Sequence, residues 1–154
     1  MNNKSQVILA RAHWCRFCED FIPIFNKAKD DYSDKYEFHN YDFADNTPSP
    51  NKQDFINKYG GSLVDKIKGY PTIFLKIDED GKDLYIDVNS TIIKNNDLNK
   101  AVKDFIKNID NSHKTLLSDR KKEIINLNGG FNNESYKHKY MKYKEKYYKL
   151  KNNL

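Results

Sequence analysis

Five consecutive residues, Trp14-Cys15-Arg16-Phe17-Cys18, hold both cysteines of the chain, and they stand between an apolar run, Val7-Ile8-Leu9-Ala10, and an amphipathic stretch from Phe21 to Ala28. A strand that delivers two thiols to the first turn of a helix is a narrow structural specification. The first sulfur then lies over the unpaired N–H groups and positive dipole end of that helix. Cys15 is therefore expected to be the more acidic and nucleophilic thiol. Cys18, one turn further in, is expected to be shielded from solvent and placed to attack a mixed disulfide formed on Cys15.

Two other readings fit two cysteines. A structural zinc site would need His13 and His39 or carboxylates to complete four ligands, and no second C-x-x-C or H-x-x-x-H pair accompanies them. An inert buried pair is the other, since free cysteine packs as a small hydrophobe. The strand-to-helix placement favours the redox dithiol over both. The N-terminal Met1 to Ser5 leads into only four consecutive apolar residues, too few for a signal peptide core or a membrane span. A cytosolic location is expected, where a permanent disulfide is rare and a C-x-x-C pair points to turnover between dithiol and disulfide.

Hydrophobic periodicity supplies the elements around the motif. Gln6 to Ala12 reads as a strand buried on both faces, and Arg16 to Asp30 as a helix with Phe21, Ile22, Phe25 and Ala28 at helical spacing and Pro23 as a kink. Tyr36 to Phe43 is a second strand. The turn-rich Asn46 to Pro50 opens a connection with short helices at Lys52 to Tyr59 and Ser62 to Lys68, separated by Gly60-Gly61. Thr72 to Ile77 and Leu84 to Val88 are strands joined across Asp80-Gly81, a hairpin signal. A helix from about Asp97 to Ile109, capped by Asn95 or Asn96, closes the domain with Leu98, Val102, Phe105 and Ile109 on one face.

The order strand, helix, strand, insertion, strand, strand, helix resembles the minimal thioredoxin fold over residues 5–110. Trp14, Cys15 and Cys18, with Pro23 five residues after the second cysteine, are similar to the family's active-site turn and kinked helix. Gly69-Tyr70-Pro71-Thr72 resembles its cis-proline loop, in a form close to protein disulfide isomerase domains. The resemblance implies an α/β thioredoxin-like fold with a central mixed sheet and flanking helices, and a redox-active Cys15–Cys18 disulfide. It implies no cofactor and no metal. A cis Tyr70–Pro71 loop facing Cys15 would offer the backbone of Tyr70 to an extended, cysteine-bearing protein substrate by strand pairing, with Trp14, Tyr70 and Pro71 as substrate contacts. The reading from another class is a non-catalytic binding or structural protein that keeps this fold.

Three departures stand against the family pattern. Leu9 occupies the position where a buried Asp or Glu usually serves as proton acceptor for the second cysteine, leaving Glu19 or water for that task. Arg16-Phe17 matches neither the Gly-Pro of thioredoxins nor the Gly-His of disulfide isomerases. Arg16 and His13 should favour a thiolate and Glu19 oppose it. The connection between Phe43 and Gly69 is also longer than in a minimal thioredoxin, and reads either as a rim that restricts partners or as a tolerated surface insertion.

Charge divides the chain near residue 110. Residues 112–154 carry 11 Lys+Arg against 4 Asp+Glu, while residues 1–111 carry 16 against 18. Residues 111–130 read as a helical linker, with a helix from Lys114 to Leu127 and a stop at Asn128-Gly129-Gly130. Residues 131–154 form a basic Tyr/Lys-rich helical tail, in which Tyr136, Tyr140, Tyr143, Tyr147 and Leu150 draw one seam suited to self-association as a coiled coil. Lysine interleaved with tyrosine could also meet a phosphate backbone, but no groove-reading motif accompanies it. This tail resembles those of giant-virus (mimivirus-like) proteins. That resemblance implies a thioredoxin-domain protein of the host cytoplasm or the virion, tethered to virion proteins through its tail.

Overall fold

The structure is a computed structural model that describes residues 4–88 and 97–129. The elements in chain order are β1 (Ser5–Arg11), α1 (Arg16–Tyr32), β2 (Tyr36–Asp42), α2 (Lys52–Tyr59), α3 (Gly61–Val64), β3 (Thr72–Glu79), β4 (Lys82–Asp87) and α4 (Leu98–Gly129). The chain divides into two units, residues 1–113 and 114–154. Gly130, the tyrosine seam, and the caps expected at Asn95 or Asn96 lie outside the described residues.

One mixed sheet organises the first unit, with strand order β2-β1-β3-β4. β1 runs parallel to β2 and antiparallel to β3, and β4 returns antiparallel to β3. The central strand is covered on both faces, which is why Val7 to Ala10 are uninterrupted apolar residues and all fully buried. Alternation sends Ile8 and Ala10 to one face, where they meet Tyr41, Phe43, Phe55, Tyr59, Leu63 and Phe74. Val7 and Leu9 take the other face. There Phe25 of α1 packs on Phe38 with ring centroids 5.6 Å apart, and Phe21 meets Phe105 of α4 at 5.0 Å.

Local chemistry accounts for the connections. Asp80 and Gly81 both hold positive φ, 56° and 77°, the geometry of a two-residue hairpin turn that matches the twist of its strands. Asn51 and Asp54 form a reciprocal capping box at the start of α2. Gly60, at φ 92°, ends α2 and begins α3.

Several expectations change. The connection after Phe43 is no tolerated surface insertion, because Phe55, Tyr59 and Leu63 recur every four residues and bury themselves against the sheet. Its second helix spans only Gly61–Val64 and dissolves into turns closed by Lys66 N–H to Leu63 C=O and Ile67 N–H to Val64 C=O. The two helices expected at Asp97 to Ile109 and Lys114 to Leu127 are one, α4, since Asp110 to His113 contains neither glycine nor proline to stop it. Asp97 caps that helix: its Oδ1 accepts the N–H groups of Asn99 at 3.0 Å and Lys100 at 3.4 Å.

Candidate functional site

The dithiol lies where β1 gives way to α1. After Arg11 the chain turns once, with Cys15 N–H donating to Ala12 C=O at 2.9 Å and His13 and Trp14 at the corners. Cys15 is the N-cap of α1, in extended conformation, and its Sγ accepts the N–H of Cys18 at 3.3 Å. An N–H group left without a partner by the helix start is thus turned onto the sulfur. The Cys15 thiol donates to the carbonyl of Tyr70 at 3.6 Å.

Tyr70 meets Cys15 from the loop before β3, and Pro71 follows it. Their peptide bond is cis, and the Thr72 hydroxyl pins the loop by donating to Gly69 C=O at 2.6 Å. The Tyr70 ring stands edge-on to Trp14 with centroids 6.0 Å apart, and leans on Phe43 at the same distance. Cys15 and Trp14 thus both meet Tyr70, with Pro71 next to it in the loop. Trp14 is 67% exposed and Phe17 57% exposed, so two large apolar side chains flank the thiols in open solvent. Phe17 was not singled out from the sequence, although an aromatic residue in the first turn of a helix, next to a reactive thiol, is a signal for contact with partners.

Cys18 is the shielded thiol, 1% exposed against 8% for Cys15, and packs with Ala12, Cys15 and Ala44. Burial, reinforced by its hydrogen bond to Cys15, pushes the Cys18 thiol up to about 12, against partial relief from the Ala12 backbone and the Arg11 charge. The cation that reaches Cys18 is thus Arg11, in addition to the Arg16 and His13 considered from the sequence. The sign of the resulting pH dependence follows. Above the ordinary thiol value of 9.0 the unfolded chain releases this proton while the folded chain keeps it, so the reduced protein loses stability as pH rises past that point. Urea midpoints of the reduced protein should fall between about pH 8 and about pH 10, and the fall should shrink in Cys18→Ser. An equal fall in both proteins would contradict this account.

A buried carboxylate also borders the site. Asp42, at the end of β2, accepts N–H groups from His13 and Ala44, and its partners include the His13 ring and Arg11. Asp42 and Thr72 are the buried polar residues among those described, and both serve the loops that carry the site. The sequence reading passed over Asp42. Its signal was an acid set between Tyr41 and Phe43 at the end of the aromatic strand Tyr36 to Phe43.

Strand order, strand directions, the dithiol at the head of α1 and the cis-proline loop opposite it settle the architecture. The fold is thioredoxin-like. Neither a family model nor a curated protein sequence matches this chain. Among solved structures it is similar to the Trx4 domain of ERdj5, at 21% identity over 56% of this chain and 68% of that one, with a TM-score of 0.42. It is also similar to the exposed lipoprotein thioredoxin Etrx1 of Streptococcus pneumoniae, at 17% identity over 68% of this chain and 84% of that one, TM-score 0.40. The germline-specific thioredoxin Deadhead of Drosophila melanogaster matches at 17% identity over 69% of this chain and 82% of that one, TM-score 0.40. Among the described residues no helix is long and apolar enough to cross a membrane.

Proposed function

We propose that this thioredoxin-like chain is a thiol-disulfide oxidoreductase that exchanges disulfides with cysteine-containing proteins through Cys15 and Cys18. The observation that carries the reading is the Cys15 sulfur at the N-cap of α1, accepting the Cys18 N–H and lying 3.6 Å from the Tyr70 carbonyl. In the reducing direction the Cys15 thiolate attacks one sulfur of a substrate disulfide. The substrate S–S bond breaks, a mixed disulfide forms on Cys15, and the first substrate sulfur leaves as a thiolate that takes up a proton. Cys18 gives up its proton and attacks the Cys15 sulfur, releasing the second substrate thiol and leaving a Cys15–Cys18 disulfide. Two electrons have passed to the substrate, and an external dithiol restores the pair. The same steps in reverse oxidise a substrate dithiol.

The Tyr70–Pro71 loop supplies the docking edge in this reading. A bound peptide would take the place of the Cys15 S–H as partner of the Tyr70 carbonyl, while Trp14, Tyr70 and Phe17 offer apolar contact around the substrate cysteine. Cys18→Ser tests the scheme directly. It keeps the attacking thiol and removes the resolving one, so mixed disulfides through Cys15 should accumulate from a cell extract and dissolve on adding dithiothreitol. A capture set identical to that of Cys15→Ser/Cys18→Ser would refute the proposal.

A further inference from the structure

The carboxylate that the family pattern places on β1 is replaced by Leu9, yet the same face of the sheet carries one on the neighbouring strand. In the parallel register Leu9 pairs with Asn40 and Arg11 with Asp42. Side chains alternate along each strand, so Leu9, Arg11, Asn40 and Asp42 share the face on which α1 packs. Asp42 is 6% exposed. Its Oδ1 accepts the N–H of His13 at 3.2 Å and that of Ala44 at 3.0 Å, and its Oδ2 lies 2.8 Å from His13 Nδ1 and 3.5 Å from the Arg11 guanidinium. Arg11 is itself held, donating from Nε to Asn40 Oδ1 at 2.8 Å.

These partners converge on the thiols from three directions. His13 is the first corner of the turn that Cys15 N–H closes onto Ala12 C=O. Ala44 belongs to the buried cluster that holds both cysteines, and Arg11 is the cation that acts on Cys18. We propose that Asp42 is a positioning residue for the dithiol, acting through His13 to hold the Ala12–Cys15 turn in the conformation that sets Cys15 Sγ on the N–H of Cys18. This rests on the reading that Cys15 is the attacking thiol. An ionised carboxylate suits the task because it is acceptor-only on both oxygens, and every group around it is a donor or can act as one. An asparagine of the same shape would set its NH2 against one of those donors. Burial alone would raise the Asp42 carboxyl, but the Ala44 N–H, His13 and Arg11 together hold it below the usual carboxylate range. It stays anionic wherever thiols react.

The test measures Cys15 itself, with no protein substrate and no turnover. The full-length reduced chain is treated with iodoacetamide between about pH 6 and about pH 9, and the alkylation rate of Cys15 is read separately from Cys18 by peptide mass. The proteins compared are wild type, Asp42→Asn, His13→Ala and the double variant, each with its urea unfolding midpoint. Both single variants should slow Cys15 by about tenfold or more near neutral pH and alter its pH profile in the same way. If Asp42 acts through His13, the double variant should be no slower than Asp42→Asn alone. Additive losses, or an Asp42→Asn rate within about twofold of wild type despite a lowered urea midpoint, would reduce Asp42 to a plain stabilising residue and overturn the proposal. Should Asp42→Asn fail to fold, His13→Ala decides by the same criterion for the ring contact, since it removes the imidazole from Asp42 Oδ2 and leaves Asp42 bonded to the residue-13 N–H, Ala44 and Arg11. Because iodoacetamide needs only a reactive thiol, a protein that reduces no disulfide still reports on Asp42.

Discussion

Cys15→Ser should abolish acceleration of the reduction of a protein disulfide by dithiothreitol, a loss of at least about a hundredfold that brings the rate to the uncatalysed background. The cause lies in the element exchanged. Disulfide exchange needs a thiolate, and a serine hydroxyl at the same N-cap can accept the Cys18 N–H but cannot ionise near neutral pH or form the mixed disulfide. Serine is itself a favoured N-cap, so α1 should keep its start and the fold its stability. The variant therefore separates chemistry from folding. A folded Cys15→Ser protein that retained more than about a tenth of wild-type turnover would remove Cys15 from the role of nucleophile.

Phe55→Ala should cost about 3–5 kcal/mol of stability, read as a fall in the urea midpoint at constant slope. Phe55 is fully buried and is the hub of its face of the sheet, with Tyr41, Phe43, Tyr59 and Phe74 around it at centroid distances of 5.4, 5.0, 5.0 and 6.5 Å. Truncation removes the transfer energy of the ring and leaves a cavity that these stiff neighbours fill poorly. Against a usual total of about 5–15 kcal/mol the loss is large. It should also reach the site, because Tyr70 packs against the same cluster and carries the carbonyl that faces Cys15. A drop of less than about 1 kcal/mol would mean that the segment between β2 and β3 is peripheral after all.

Much of the fold was legible because its signals are local. Four apolar residues in a row at Val7 announce a strand covered on both faces, Asp80-Gly81 announces a tight hairpin, and Lys52 to Tyr59 has the bounds observed for α2. Boundaries failed where the deciding term was not local. A helix end between Ile109 and Lys114 was expected because the apolar spacing of Leu98, Val102, Phe105 and Ile109 stops there, yet nothing in Asp110 to His113 costs a helix enough to end it. The length of the segment after Phe43 left it open as either a rim beside the site or a surface insertion. Only the sheet face beneath shows that Phe55, Tyr59 and Leu63 are core.

The candidate site divides in the same way. Spacing along the chain was enough to put Cys15 at a helix start and Cys18 one turn inside, since the 3.6-residue period and the unpaired N–H groups of a first turn belong to any helix. Tyr70 and Pro71 were marked by the resemblance of Gly69-Tyr70-Pro71-Thr72 to the cis-proline loop of thioredoxins, not by spacing. What spacing cannot express is which groups meet across strands. Asp42 lies 29 residues from His13, and only the parallel register of β1 and β2 brings its carboxylate to the turn that presents the thiols. Leu9, read alone, leaves the dithiol without a buried acid, whereas the assembled sheet places one on the next strand of the same face.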